Sequence, residues 1–391
     1  MKIEKVSKNT PLFEAFLHLP YKIYKDDSEW IPPLISDIRA VFDVNHNKYL
    51  NEHNHQLWLL SDEGGNPIGR IAAFEKAESD DADDYKTGGV GFFECINQQE
   101  AANLLFQTAE KWLESKGFEA MDGPINIGER NRFWGLLVKK NISSSYGENY
   151  HPPYYRSLFE NYGFRLYFEQ NTFLINVSDV DKTRIGKLAL FAQKRYGFRV
   201  EKVDIAQIDR FAEDFIRIYN PAWSHFNNFK PLTKEGVLQT FAEMKSVMDE
   251  DFVHFAYQGD QPAGVNVMIP EINQILKFCK GKTDWWNKLK LYYYFSTRKI
   301  DRVKGLVFGI HPDFQQKGVD ALLVNASLES IRRKTHVSSG ELSWIGGFNK
   351  RMMDLMFGMN GKVAKVHHTY RKPFHEGISV RPYQIKDGAA N

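Results

Sequence analysis

Alternating and periodic apolar positions recur in two similar blocks along the chain. Leu57 to Phe74 (LWLLSDEGGNPIGRIAAF) and Phe252 to Ile269 (FVHFAYQGDQPAGVNVMI) each read as strand, Gly-containing turn, strand. A strand running into a helix follows each hairpin. In the first block this is Val90 to Lys116, with Ala101, Leu105, Ala109 and Trp112 on one helical face and Gly117 as the stop signal. In the second it is Gly305 to Arg333, with Val319, Leu322, Leu323 and Ala326 on the inward stripe. Each block closes on a helix and a last strand: Tyr154–Phe159 before Tyr167–Val177, and Lys350–Phe357 before Val363–Tyr370.

The order hairpin, strand, helix, strand, helix, strand thus occurs twice, which predicts an α/β protein with helices packed on mixed central sheets. The polar stretch Ser178, Asp179, Asp181 before a helix at Lys182–Tyr196 places the boundary, giving expected domains of 1–178 and 179–391. A chain of 391 residues is long enough for two cores, and its 42% apolar and 14% aromatic content is enough to fill them.

Charge narrows the function. With 51 basic and 49 acidic side chains the formal net charge is +2, so no global field draws the protein to nucleic acid, and no nucleic-acid partner is expected. No apolar run approaches the roughly 18 residues of a membrane span, and Met1 to Asn9 is polar rather than signal-like. The expectation is a cytoplasmic protein without membrane association. Cys95 and Cys279 lack metal-ligand neighbours, and His46, His53 and His55 fall in an Asn-rich stretch without ligand spacing, so no metal is expected.

The stretch Val307 to Leu323 (VFGIHPDFQQKGVDALL) carries the chemistry. A strand leads through a Pro turn into a Gly-containing loop that opens a helix, and the first amides of a helix present partial positive charge to an anion. Gly318 lets the backbone approach a phosphate closely, and Lys317 adds a point charge. This stretch resembles the acyl-CoA-binding motif of the GNAT acyltransferase superfamily. Nearly the whole chain is similar to a group of tandem GNAT-like proteins, through Trp30-Ile31-Pro32-Pro33-Leu34, Gly123-Pro124-Ile125-Asn126, Pro152-Pro153-Tyr154-Tyr155, Tyr219-Asn220-Pro221-Ala222-Trp223 and Glu341-Leu342-Ser343-Trp344-Ile345.

The resemblance implies two tandem GNAT-like domains and transfer of an acetyl or other acyl group from CoA to the amine of a small molecule or peptide. It implies that Gln315, Gln316, Lys317, Gly318, Val319, Asp320 and Ala321 hold the pyrophosphate, while Phe308, Gly309 and Ile310 line the pantetheine arm. Asp320 departs from the pattern, which has Gly or Ala there. A carboxylate about 4 Å from a phosphate repels it by about 4 kcal/mol at an effective dielectric of 20. In the first half the matching stretch Phe93 to Ala101 has no Gly and holds Glu94 and Glu100, so no anion cradle is expected there.

Many GNAT enzymes use a Tyr on the helix after the fifth strand as acid. Here Asn349 to Gly358 holds Met352, Met353 and Met356 but no Tyr. The remaining catalytic candidates are Glu341, Tyr370 and His311, each with a purely structural alternative, and a backbone amide near Ile310 is a candidate oxyanion donor. The segment Gly123 to Pro153 is an irregular insertion expected to border an acceptor cleft. Trp285, Trp286, Tyr292, Tyr293 and Tyr294 suggest a packed inserted helix, an aromatic acceptor pocket or a homodimer surface. Two other functions compete: a Fem-type aminoacyl transferase, favoured only by Lys277, Lys280, Lys282, Lys288 and Lys290, and a degenerate GNAT scaffold that binds without turnover.

Overall fold

The computed structural model describes residues 1–76, 85–128, 130–225, 229–282, 284–297, 300–334 and 336–383. The acidic run Glu78 to Asp84, expected as a solvated tip, lies outside the described residues. The first half runs β1 (Lys2–Val6), α1 (Pro11–Ile23), α2 (Ile35–Val41), β2 (His55–Ser61), β3 (Pro67–Phe74), β4 (Thr87–Cys95), α3 (Gln99–Ser115), β5 (Ala120–Gly123), β6 (Leu136–Lys140), α4 (Tyr154–Tyr162) and β7 (Arg165–Asn176). The second runs α5 (Lys182–Tyr196), β8 (Phe198–Lys202), α6 (Ile208–Trp223), α7 (Lys234–Met244), β9 (Val253–Gln258), β10 (Gln261–Pro270), α8 (Asn273–Leu276), α9 (Trp285–Ser296), β11 (Arg302–Ile310), α10 (Val319–Arg333), β12 (Ser339–Gly346), α11 (Lys350–Gly358) and β13 (Lys362–Pro373).

Local chemistry sets several of these limits. The Asp181 side chain accepts from the Arg184 amide at the start of α5, and Gly197 ends that helix at φ 70°. Gly163 ends α4 at φ 100°. Along α3 the inward stripe Ala101, Leu105 and Ala109 is fully buried. It packs with Phe93, Phe106 and Phe159 on one face of the sheet, while Phe13, Phe16 and Phe42 from α1 and its neighbours cover the other. In the second half α6 and α7 cover one face, and α5 and α10 the other.

The strands form one 13-stranded mixed sheet in the order β1-β2-β3-β4-β5-β13-β7-β12-β11-β10-β9-β8, with β6 also on β13. The closing strands are exchanged. β7, the last strand of the first half, pairs with β12, and β13, the last strand of the second, pairs with β5. β7 and β13 pair with each other at the centre. The expected boundary at residue 178 falls between β7 and α5, and the sheet runs continuously across the two halves.

The central strand β13 is unusual in burying polar side chains: Lys365, His367 and Arg371 are all 0% exposed. Each is matched. Arg371 donates from Nε and Nη2 to the two carboxylate oxygens of Asp122 on β5 at 2.6 and 3.0 Å, and its guanidinium lies 3.7 Å from the Tyr167 ring centroid. Such pairs contribute little net stability over an apolar core, but they penalise every register that separates them.

Candidate functional site

The two parallel strand pairs that follow the hairpins both splay apart, with opposite outcomes. In the first half β4 and β5 pair over Thr87–Gly89 and Ala120–Asp122 and then diverge. The chain itself fills the wedge: the Ile125 amide donates to the Val90 carbonyl at 2.8 Å. A Cβ on Gly91 would meet the Ile125 carbonyl oxygen at 1.9 Å, so only glycine permits this plug. Glu94, on β4 at the position that Gly309 holds on β11, is buried and accepts from Tyr24 and Tyr155 at 2.7 and 2.8 Å, with Arg70 at 3.4 Å.

In the second half β11 and β12 pair only over Arg302–Gly305 and Ser339–Leu342. From Leu306 onward β11 is bonded only to β10. Gly305 lies opposite Met268 and Val307 opposite Val267, which leaves Leu306 as an extra, bulged residue, 38% exposed. The bulge and the open edge present backbone groups toward the cleft, the geometry in which an extended ligand adds beside a strand.

α10 begins at the mouth of this cleft. Its N-cap is Gly318 at φ 80°, preceded by Gln316 at φ 59°, and no side chain caps it. Among the described residues the amides of Val319, Asp320 and Ala321 have no acceptor. A Cβ on Gly318 would sit 3.1 Å from the Ala192 Cβ of α5, so helix α5 closely backs this loop. Lys317 lies half-buried with its Nζ on the Asp313 carbonyl at 2.8 Å, and Arg351 of α11 holds the Gln315 side chain at 2.8 Å. Asp320 lies in the first helical turn and is half-buried. The missing Cβ of Gly318 thus serves the packing of the loop on α5, and it is the unpaired amides and the two nearby cations that fit a diphosphate.

Phe308 and Ile310 are half-buried against the α5/α10 core, whereas Gly309 faces α6. Its missing Cβ makes room for Trp223, whose ring would otherwise be 2.5 Å away, and Trp223 stacks on Tyr219 at 4.3 Å. Both aromatics belong to the sequence motif Tyr219–Trp223, and their helical spacing of four is the signal that they share a face.

Beside the bulge, at the junction of the halves, lies a buried ionic cluster. Lys365 donates to Glu341 at 3.0 Å and to Ser145 at 2.9 Å, and pairs with Glu148 at 2.5 Å. Arg302 donates to the other oxygen of Glu341 at 3.1 Å; Lys304 donates to the Tyr146 carbonyl at 2.9 Å, and Glu271 accepts from the Tyr146 amide at 2.9 Å. Ser144, Ser145 and Glu148 come from the irregular insertion of the first half. Among the described residues several buried polar atoms here have no partner: Glu148 Oε1, Glu271 Oε2, Arg302 Nε, Ser144 Oγ, Trp344 Nε1 and His367 Nδ1. The cluster therefore has unused donors and acceptors on both sides of the junction.

His367 is the informative member. Its Nε2 lies 3.2 Å from the Asn149 carbonyl, which only accepts, so Nε2 carries the proton and Nδ1 the free lone pair. Burial pushes its pKa down, outweighing the attraction of Glu148. Glu271 is pushed up, chiefly by burial, against the pull of Lys304. Glu148 is held down to about 2: burial pushes it up, but Lys365 and then Lys304 outweigh that.

The predicted catalytic residues are not brought together. Glu341 is 0% exposed in the junction cluster, with both oxygens engaged. Tyr370, carried by the exchanged strand β13, is buried in the first half's core and bonds Glu160 at 3.0 Å. His311 stands beside the loop and accepts from the Asp313 amide at 3.3 Å. His46, His53 and His55 sit on the loop before β2 and on its first residue, His46 paired with Asp43 at 3.0 Å. The five aromatics expected on a packed helix lie on α9, which is almost wholly exposed.

The chain has the tandem GNAT fold. It superposes on the tandem GNAT protein from the clavulanic acid biosynthesis pathway with a TM-score of 0.55 at 10% identity, over 98% of this chain and 99% of that one. A GCN5-related N-acetyltransferase from Sphaerobacter thermophilus matches at a TM-score of 0.51 and 12% identity, over 96% and 97% of the two chains. Two curated relatives match in sequence nearly end to end. One is the bacterial ceramide synthase of Caulobacter vibrioides, 25% identical over 371 residues, covering 92% of this chain and 94% of the relative. The other is protein YghO of Escherichia coli, 24% identical over 374 residues, covering 92% of each. No family model matches the chain. Among the described residues no helix is long and apolar enough to cross a membrane.

Proposed function

We propose that the protein is a CoA-dependent N-acyltransferase with one active site, in the second half, completed by residues of the first. The observation that carries this reading is the pairing of an uncapped helix mouth at Gly318 with an open, bulged strand edge at Leu306. Amides from Gln316 to Ala321 take the pyrophosphate, with Lys317 and Arg351 adding charge, and the edge of β11 takes the pantetheine arm.

The acceptor amine enters from the junction cluster, whose unused carboxylate oxygens on Glu148 and Glu271 suit an ammonium or hydroxyl and whose Arg302 and Trp344 N–H groups suit a hydroxyl oxygen. His367 Nδ1 is the candidate base: it takes the proton of the amine as nitrogen attacks the thioester carbonyl. The new C–N bond replaces the C–S bond, and CoA leaves as its thiol after gaining a proton. The Leu306 backbone, freed by the bulge, is the candidate donor to the carbonyl oxygen. A ceramide is the amide of a long-chain amino alcohol, so the ceramide synthase relative supports an amino-alcohol acceptor of this kind.

Release of CoA thiol on mixing acyl-CoA with a panel of amines and amino alcohols tests the activity. His367→Gln should lower kcat about 10²–10⁴-fold with CoA binding retained. A degenerate scaffold, favoured by Asp320 in the first turn of α10, predicts instead that no acyl-CoA and amine pair releases thiol.

A further inference from the structure

The segment from Ile272 to Asp301 leaves the sheet at the end of β10 and returns at the start of β11, and the Glu271 amide bonds the Arg302 carbonyl at 2.9 Å across its base. Both residues of that base belong to the junction cluster. On the excursion stands α9, twelve residues long with only Asn287 buried. Trp285, Trp286, Tyr292 and Tyr293 are 64, 68, 76 and 58% exposed. Leu289 shares the helical face of Trp285 and Tyr292, and Phe295 is also exposed. The helix is tethered rather than packed: Phe278 stacks on Tyr294 at 4.4 Å, and the Cys279 thiol meets the Asn287 carbonyl at 3.8 Å.

Exposed tryptophans cost free energy in water, and contiguous aromatic patches of this kind mark interaction surfaces. The flanking charge identifies the partner. Lys277, Lys280, Lys282, Lys288 and Lys290 are all exposed on the same excursion, and the single acid among residues 277–297, Asp284, is consumed as the N-cap of α9. Trp and Tyr with exposed lysines match the chemistry of a bilayer interface bearing anionic headgroups. At about 1.5 Å per residue, α9 is about 18 Å long, enough to lie in the interface and too short to span it.

We propose that α9 docks the protein on an anionic phospholipid surface, with the base of the excursion, and hence the junction cluster, directly behind the contact. The proposal stands independently of acyl transfer, and it departs from the expectation of a protein without membrane association. It also provides a route by which a lipid amine leaves the bilayer for the cleft.

Co-sedimentation of the full chain with vesicles of phosphatidylcholine containing about 30% phosphatidylglycerol tests it. Wild type should pellet with these vesicles and far less with pure phosphatidylcholine. Trp285→Ala/Trp286→Ala should weaken partitioning at least about tenfold, and Lys288→Glu/Lys290→Glu at least about fivefold per residue. All four side chains are exposed, so the melting temperature should not change; its constancy separates lost docking from lost folding. Failure of wild type to pellet, or equal pelleting of the tryptophan variant, overturns the proposal. So does a wild-type dimer that the tryptophan variant dissociates, which assigns the face to a second copy. Lysine variants that lose tRNA binding while wild type ignores vesicles would assign it to RNA.

Discussion

Replacing Lys365 with Met tests whether the junction cluster joins the two halves into one folding unit. Lys365 is 0% exposed and faces Glu148 and Glu341 together, so its removal leaves two carboxylates buried with one cation fewer. Breaking a buried pair in this way costs about 3–5 kcal/mol. An unfolding entropy of about 2.1 cal/mol/K per residue over 391 residues converts this to a fall in Tm of about 4–6 °C at pH 7. The pH dependence carries a second signature. In wild type Glu148 is held down to about 2 against an ordinary 4.5, so its contribution is full above pH 4.5 and is lost as pH falls toward 2. In Lys365→Met the ammonium that does most to hold that carboxyl down is gone, the carboxylates take up protons at higher pH, and the gap between variant and wild type narrows on acidification. Calorimetric melts from about pH 3 to 8 read both effects. A Tm unchanged at pH 7, or a gap that widens as pH falls, refutes the reasoning.

Three other outcomes follow from the geometry. Gly318→Ala should lower stability by about 1–2 kcal/mol, because its φ of 80° is left-handed and its Cβ would press on Ala192; equilibrium denaturation in urea measures it. Glu94→Ala should cost about 3–5 kcal/mol in the same assay, since it strands the buried Arg70 guanidinium, without altering CoA affinity. Gly309→Val should lower kcat/KM for the amine, because its side chain displaces Trp223 from beside β11, with a stability loss of about 1–3 kcal/mol visible in the melt.

Much of the fold was legible because its signals are local. The helix read at Lys182–Tyr196 is α5 to the residue, and the hairpins and the Gly318 loop fall where turn residues put them. The exchange of β7 and β13 was not legible. Strand order depends on partners far apart in sequence, and a closing strand carries no local mark of which sheet it completes. That exchange moved Tyr370 into the first half's core and brought Lys365 and His367 to the junction. Neither shows in an apolar pattern, because β13 buries charges that only its neighbours neutralise. The exposure of α9 was one of three readings left open, since aromatic residues interleaved with Lys288 and Lys290 suit a packed helix, a pocket or a surface until their surroundings are known.

The central claim is that the mouth of α10 holds CoA and that the first half, plugged at Ile125, holds none. Isothermal titration of CoA into the full chain, alongside Gly318→Glu, tests it most directly. Saturable binding at one CoA per chain, abolished in Gly318→Glu, is the predicted result. Absence of binding, two sites per chain, or unchanged affinity in the variant would contradict it.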